Sequence, residues 1–139
     1  MIVLDTNVLS ELIRRLPASS VQDWILGKAA STLFTTTIAQ AEMLLGVALL
    51  PRGKRRAALT EAVSGLFDID FAGRVLPFDG AAARAFALVA SERRRAGRPI
   101  SQLDAQIAAI ARSRDATVAT RNAADFEGCG IEVVNPWQS

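Results

Sequence analysis

The chain contains no histidine. That absence removes Ser-His-Asp and Cys-His nucleophilic sites. It removes the histidine acid–base pairs that cleave RNA without a metal. There is one cysteine, Cys129, so no internal disulfide framework is available and the usual zinc ligand sets are excluded. Low-complexity tracts and internal repeats are also lacking. No apolar stretch approaches the length of a membrane span. The opening Met1-Ile2-Val3-Leu4 runs straight into Asp5, too short and too acidic at its end for a signal peptide. These absences lead us to expect a protein of the cytoplasm, with no membrane association. Catalysis, if any, falls to carboxylates, hydroxyls, Lys or Arg, or a hard metal ion.

What is present suits one folded unit. The 139 residues are half hydrophobic, enough for a core without staples, and residues 1–139 read as a single domain. The formal charge of +2 is too small to point to nucleic acid by itself. Only Lys28 and Lys54 are lysines; the other fourteen basic residues are arginines. An arginine-rich composition suits phosphate recognition, and it also arises from a GC-rich genome.

Short apolar runs alternate with helical patterns. Residues 1–4 read as a strand, followed by a helix from Val8 toward Arg15 that Pro17 stops. Ser19 or Ser20 is expected to cap a second helix, and residues 33–35 to form a second strand. Thr37 and Gln40 fit a capping box for a helix that carries Glu42 and ends at Pro51. Residues 52–71 read as helical, with Leu59, Val63 and Leu66 on one face. Residues 75–78 read as a third strand. Asp79 then caps a helix over residues 82–96. Ser101 and Asp104 form another capping box, opening a helix to about Arg114. Residues 117–120 and 131–134 read as the last strands. Helices alternating with short strands apolar on both faces predict an α/β fold. Its centre is a parallel sheet of four to five strands, with helices on both faces.

In such a sheet, sites form beyond the carboxyl ends of the strands. Asp5 follows the first strand directly, and Glu42 follows the second within its helix. Asp104 opens its helix, and Asp125 lies just past the fourth strand. Each has a plainer reading: Asp5, Asp104 and Asp125 as cap or turn residues, Glu42 as a solvated helix residue. Taken together at one sheet edge, the four acids would repel each other and invite a divalent cation. Oxygen ligands without His or Cys select Mg²⁺, or Mn²⁺, over zinc. Thr6, Asn7, Thr120 and Asn122 are placed to orient such ligands, or to serve as loop and cap residues.

These residues resemble a known family. Leu4-Asp5-Thr6-Asn7-Val8-Leu9-Ser10-Glu11-Leu12 looks like the opening of PIN domains, above all VapC toxins and their FitB-like relatives. Ile38-Ala39-Gln40-Ala41-Glu42 resembles the helix with the family's second acid. Pro99-Ile100 and Asp104 through Ala111 resemble the third-acid segment. Val118-Ala119-Thr120-Arg121-Asn122 with Asp125-Phe126 resembles the fourth motif, and Val134-Asn135-Pro136-Trp137 the FitB-like ending. The segments cover the whole chain in order, and none departs at the four acids. The resemblance implies a PIN-like fold and a Mg²⁺-dependent endoribonuclease. It makes Asp5, Glu42, Asp104 and Asp125 the catalytic, metal-binding acids and implies a 5′-phosphate product. It further implies the toxin of a type II toxin–antitoxin pair, with a VapB- or FitA-like antitoxin, homodimerisation, and promoter DNA bound through the antitoxin.

Two basic clusters, Arg52, Lys54, Arg55, Arg56 and Arg93, Arg94, Arg95, Arg98, are candidates for RNA or antitoxin contact, or simply solvated helix faces. An aspartyl-phosphate phosphatase fits poorly: Asn7 stands where a second Asp is needed, and no Lys follows Lys54. A P-loop is absent, since Gly46 and Gly53-Lys54-Arg55 have the wrong spacing. The other surviving reading is a catalytically weak FitB-like subunit of a DNA-binding complex.

Overall fold

A computed structural model describes residues 1–138. Its centre is a five-stranded parallel sheet in the order β3-β2-β1-β4-β5. The strands are β1 (Ile2–Leu4), β2 (Leu33–Thr36), β3 (Val75–Leu76), β4 (Thr117–Ala119) and β5 (Val133–Val134). The helices are α1 (Thr6–Leu12), α2 (Ser19–Leu26), α3 (Thr37–Ala48), α4 (Lys54–Gly65), α5 (Gly80–Arg95) and α6 (Gln102–Ser113). The expected α/β architecture is therefore present, and β1 lies in the middle of the sheet.

Alternation along β1 divides the core. Val3 packs with residues of α5 and α6, including Val89, Ile107 and Ile110. Leu4 points the other way, to Val8 and Leu9 of α1, Val21 of α2, Met43 of α3 and Val63 of α4. Successive strand side chains face opposite sides, so a three-residue strand serves both halves. Both residues are fully buried.

Several boundaries differ from the sequence expectation, each for a local reason. Thr36, not Thr37, caps α3: its hydroxyl accepts from the Ala39 N–H at 3.1 Å. Thr36 keeps extended backbone as the last residue of β2, and the helix starts one residue later. Ala18 holds the cap position of α2 with no side-chain bond, so neither Ser19 nor Ser20 caps it. α1 starts at Thr6, with Asp5 as its cap. Residues 52–71 are not one regular helix. α4 ends at Gly65, and Leu66–Asp70 forms a π-turn closed by Phe71 N–H to the Leu66 carbonyl at 2.9 Å. The wider turn keeps Leu66, Phe67 and Phe71 all buried. β3 is two residues long because Pro77 has no N–H to continue the ladder.

Candidate active site

Asp5 sits where β1 ends and α1 begins, at the carboxyl edge of the central strand. Its backbone N–H still pairs with the Ala119 carbonyl at 2.9 Å, which extends the sheet to the edge of the site. Its side chain then turns to capping: Oδ1 accepts from the Thr6 N–H at 2.8 Å. Oδ2 accepts from the Thr120 hydroxyl at 2.8 Å and from Asn7 Nδ2 at 3.1 Å. All three donors are neutral. Burial pushes the Asp5 carboxyl up to about 6, against the pull of the Thr120 and Thr6 hydrogen bonds; the charges of Asp104 and Glu42 add to the rise.

Glu42 comes from α3, and its Oε1 accepts from the Thr6 hydroxyl at 2.9 Å. Asp104 comes from the first turn of α6. There the Ser101 hydroxyl accepts from the Asp104 N–H at 3.2 Å, one of the two bonds of the expected capping box. Partial burial raises the Asp104 carboxyl, and the charge of Asp125 raises it further, while Ser101 and Arg93 act in the opposite direction.

Asp5, Glu42 and Asp104 line one cleft of about 510 Å³, together with Thr6, Asn7, Ser10, Glu11, Arg14, Arg121, Asn122 and Trp137. Asp125 is in a short turn, Ala123–Phe126, is exposed, and is not part of that lining. Its charge nevertheless reaches Asp104. None of the four acids is ion-paired among the described residues. Nor do they close on one point: among the described residues, no three His, Cys, Asp or Glu side chains are arranged to hold an ion. The donor chemistry fits a hard divalent cation, being carboxylate oxygen with hydroxyl and amide neighbours and no soft ligand. A buried Asp5 with a raised pKa and, among the described residues, no ion pair is what such a cation would relieve.

The four neighbouring polar residues act differently. Thr6 and Thr120 hold Glu42 and Asp5 as described. Asn7 bridges: Nδ2 reaches Asp5 and, at 3.3 Å, the Thr120 hydroxyl, while Oδ1 accepts from the Arg121 N–H at 3.1 Å. Asn122 contributes its backbone N–H to the Thr120 hydroxyl at 3.1 Å.

Glu11 and Arg14 were not singled out from the sequence. Glu11 is buried, 4% exposed, and both its oxygens accept from Arg14 Nη1 at 3.2 Å. The signal was there: Asn7, Ser10, Glu11 and Arg14 are spaced i, i+3, i+4, i+7, one helical stripe following Asp5.

The second basic cluster does not form a single surface. Arg93 is buried, and it donates to the Arg98 carbonyl at 2.6 Å and the Glu127 carbonyl at 2.5 Å. Arg98 pairs with Glu127 at 3.1 Å and reaches the Ala124 carbonyl at 3.3 Å. Both arginines clip the loop bearing Asp125 to the end of α5, because inward-facing carbonyls there need donors. Arg94 and Arg95 remain exposed, as do Arg52, Lys54 and Arg55 of the first cluster.

A parallel sheet with acids gathered at its carboxyl edge defines the class, and the comparisons agree. The PIN-domain model matches residues 2–127. The chain is 45% identical to plasmid stability protein StbB of Pseudomonas syringae pv. tomato, over 100% of both chains. It is 41% identical to VapC ribonuclease Y4jK of Sinorhizobium fredii, over 99% of both. It is 39% identical to toxin FitB of Neisseria gonorrhoeae, again over 99% of both. A solved structure of FitAB bound to an IR36 DNA fragment matches with a TM-score of 0.92 at 40% identity, covering 99% of this chain and 96% of that one. The chain belongs to the PIN-domain family. Within it, its place is among the VapC and FitB toxins.

Proposed function

We propose that this protein is the toxin of a type II toxin–antitoxin pair and acts as a Mg²⁺-dependent endoribonuclease, with Mn²⁺ as the alternative ion. The observation that carries this reading is the cleft itself. Three carboxylates from three elements, Asp5, Glu42 and Asp104, line it without a cationic partner. The likeness to a protein named a VapC ribonuclease supports the substrate class. The likeness to FitAB on DNA supports a FitA- or VapB-like antitoxin and promoter binding through it. A homodimer and a cytoplasmic location belong to the same proposal. Among the described residues, no helix is long and apolar enough to cross a membrane.

Asp5, Glu42 and Asp104 would hold the ion, with Asp125 the nearest further acid. A divalent cation, when bound, lowers the pKa of water and offsets charge on a phosphodiester. The chain's own residues do the rest. Thr6 and Thr120 keep Asp5 in one orientation, and Thr6 does the same for Glu42. Asp104, whose affinity for a proton is raised, accepts the proton of the attacking water at a carboxylate oxygen. Water oxygen joins phosphorus in line as the bond to the 3′ oxygen breaks; the leaving oxygen takes a proton from solvent, giving a 3′ hydroxyl on one fragment and a 5′-phosphate on the other.

The test is cleavage of a mixed RNA pool by antitoxin-free protein with Mg²⁺, with EDTA, and as Asp104→Asn. We expect cleavage with Mg²⁺ only, and a fall of roughly a hundredfold or more in the variant, from the loss of a carboxylate that both binds and takes a proton. A folded wild type that cuts nothing with Mg²⁺ would move the second reading ahead, a catalytically weak subunit of a DNA-binding complex. The likeness to FitAB bound to a DNA fragment is what supports that reading.

A further inference from the structure

Two cations line the acidic cleft, Arg14 and Arg121. Arg14 is engaged by buried Glu11. Arg121 is not: among the described residues its guanidinium makes no ion pair and no hydrogen bond. It lies over the ring of Trp137, 5.0 Å from the centroid. Trp137 is the one aromatic residue among the cleft's lining and is half-buried.

The backbones of this pair are held by two asparagines. The Arg121 N–H donates to Asn7 Oδ1 at 3.1 Å, and Asn7 in turn donates to Asp5. Asn135 Nδ2 donates to the Arg121 carbonyl at 3.3 Å, and Asn135 Oδ1 accepts from the Trp137 N–H at 2.9 Å. A run of hydrogen bonds thus leads from Asp5 to the backbone of Arg121 and on to the backbone of Trp137. An exposed arginine would ordinarily be free to wander; this one has a fixed root and an aromatic surface beneath it.

We propose that Arg121 and Trp137 form a subsite for one nucleotide of single-stranded RNA, flanking the bond to be cut. The guanidinium takes the phosphate of that nucleotide by swinging off the indole face it covers, and the base stacks on the face so uncovered, since Trp137 is also packed against the core. This rests on the endoribonuclease reading above. The chemistry favours RNA over a peptide. The planar fork of donors matches phosphate oxygens, and an indole face accepts any base. A polyanion approaching three carboxylates also needs a local cation, and Arg121 is the one that is not already paired.

Binding can be read without cleavage. Trp24 and Trp137 are the only tryptophans, so Trp24→Phe leaves a single reporter in the cleft. A short single-stranded RNA is titrated into this variant in EDTA, and an acidic peptide in parallel. Saturable quenching by RNA is expected. Arg121→Ala on that background should weaken RNA binding by about tenfold, and Trp137→Phe by less than Trp137→Ala. The slope of log affinity against log salt should fall by about 0.7 in Arg121→Ala, as one phosphate contact is lost. Circular dichroism checks that each variant folds. No quenching by RNA, quenching by the peptide alone, or an unchanged affinity and slope in Arg121→Ala overturns the subsite. A protein that binds RNA this way yet cuts none keeps the subsite and loses the nuclease reading. One that cuts RNA with no such binding does the opposite.

Discussion

Asp5 caps α1 through Oδ1 and accepts two more donors through Oδ2, all while 5% exposed. Capping and metal binding, alternatives when only the sequence is read, are compatible on one side chain here. The cost is electrostatic. With its pKa near 6 when folded, against 3.8 for an ordinary Asp, the folded protein holds this proton more tightly than the unfolded chain does. Asp5 therefore favours folding most below pH 4, and that contribution declines as pH rises from about 4 to 6. The full decline is at most about 3 kcal/mol. Urea midpoints in EDTA should fall for the wild type across that window, and Asp5→Asn should flatten the fall. Parallel curves for the two proteins would contradict the raised pKa.

At the scale of the element, what matters is where each helix begins. α3 carries Glu42, and its start sets how far Glu42 lies from β1. The structure puts the cap on Thr36, buried at the end of β2, one residue ahead of the Thr37 that the sequence pattern suggests. Thr36→Ala should cost about 1 kcal/mol or more in stability, whereas Thr37→Ala, exposed and without a capping bond, should change it by less than about 0.5 kcal/mol. Chemical denaturation of the two variants measures the difference, and equal losses would place the cap elsewhere. The same logic applies to Arg93. It read as one of a surface run, yet from the end of α5 it holds the loop that carries Asp125.

For the whole molecule, the three acids of the cleft that make no ion pair among the described residues, Asp5, Glu42 and Asp104, come from β1's end, α3 and α6, segments brought together only by folding. On the proposed function, an ion held by all three would bind the folded state alone, so its binding energy would add to folding energy. Mg²⁺ should therefore raise Tm relative to EDTA. The shift should be larger at pH 7 than at pH 5, where the Asp5 proton competes and weakens the ion by about tenfold. Asp104→Asn should reduce the shift. Equal melting temperatures in Mg²⁺ and EDTA at pH 7 would count against the metal.

The sequence by itself determined the alternation of strands and helices, because apolar runs bounded by caps and prolines are local patterns. It also marked Asp5, Glu42, Asp104 and Asp125 as candidates, because positions near the strand ends are legible once the strands are, but only folding shows that the first three line the cleft and Asp125 does not. It could not decide that Thr36 rather than Thr37 ends β2, since both residues suit a cap and only the sheet register chooses. It could not separate buried Arg93 from exposed Arg94 and Arg95, since the carbonyls of Arg98 and of distant Glu127 decide that. Nor could it pair Arg121 with Trp137 or bring Asn7 between Asp5 and Arg121. Those contacts span β1, β4 and the end of the chain, and only tertiary packing brings such distant segments within hydrogen-bond reach.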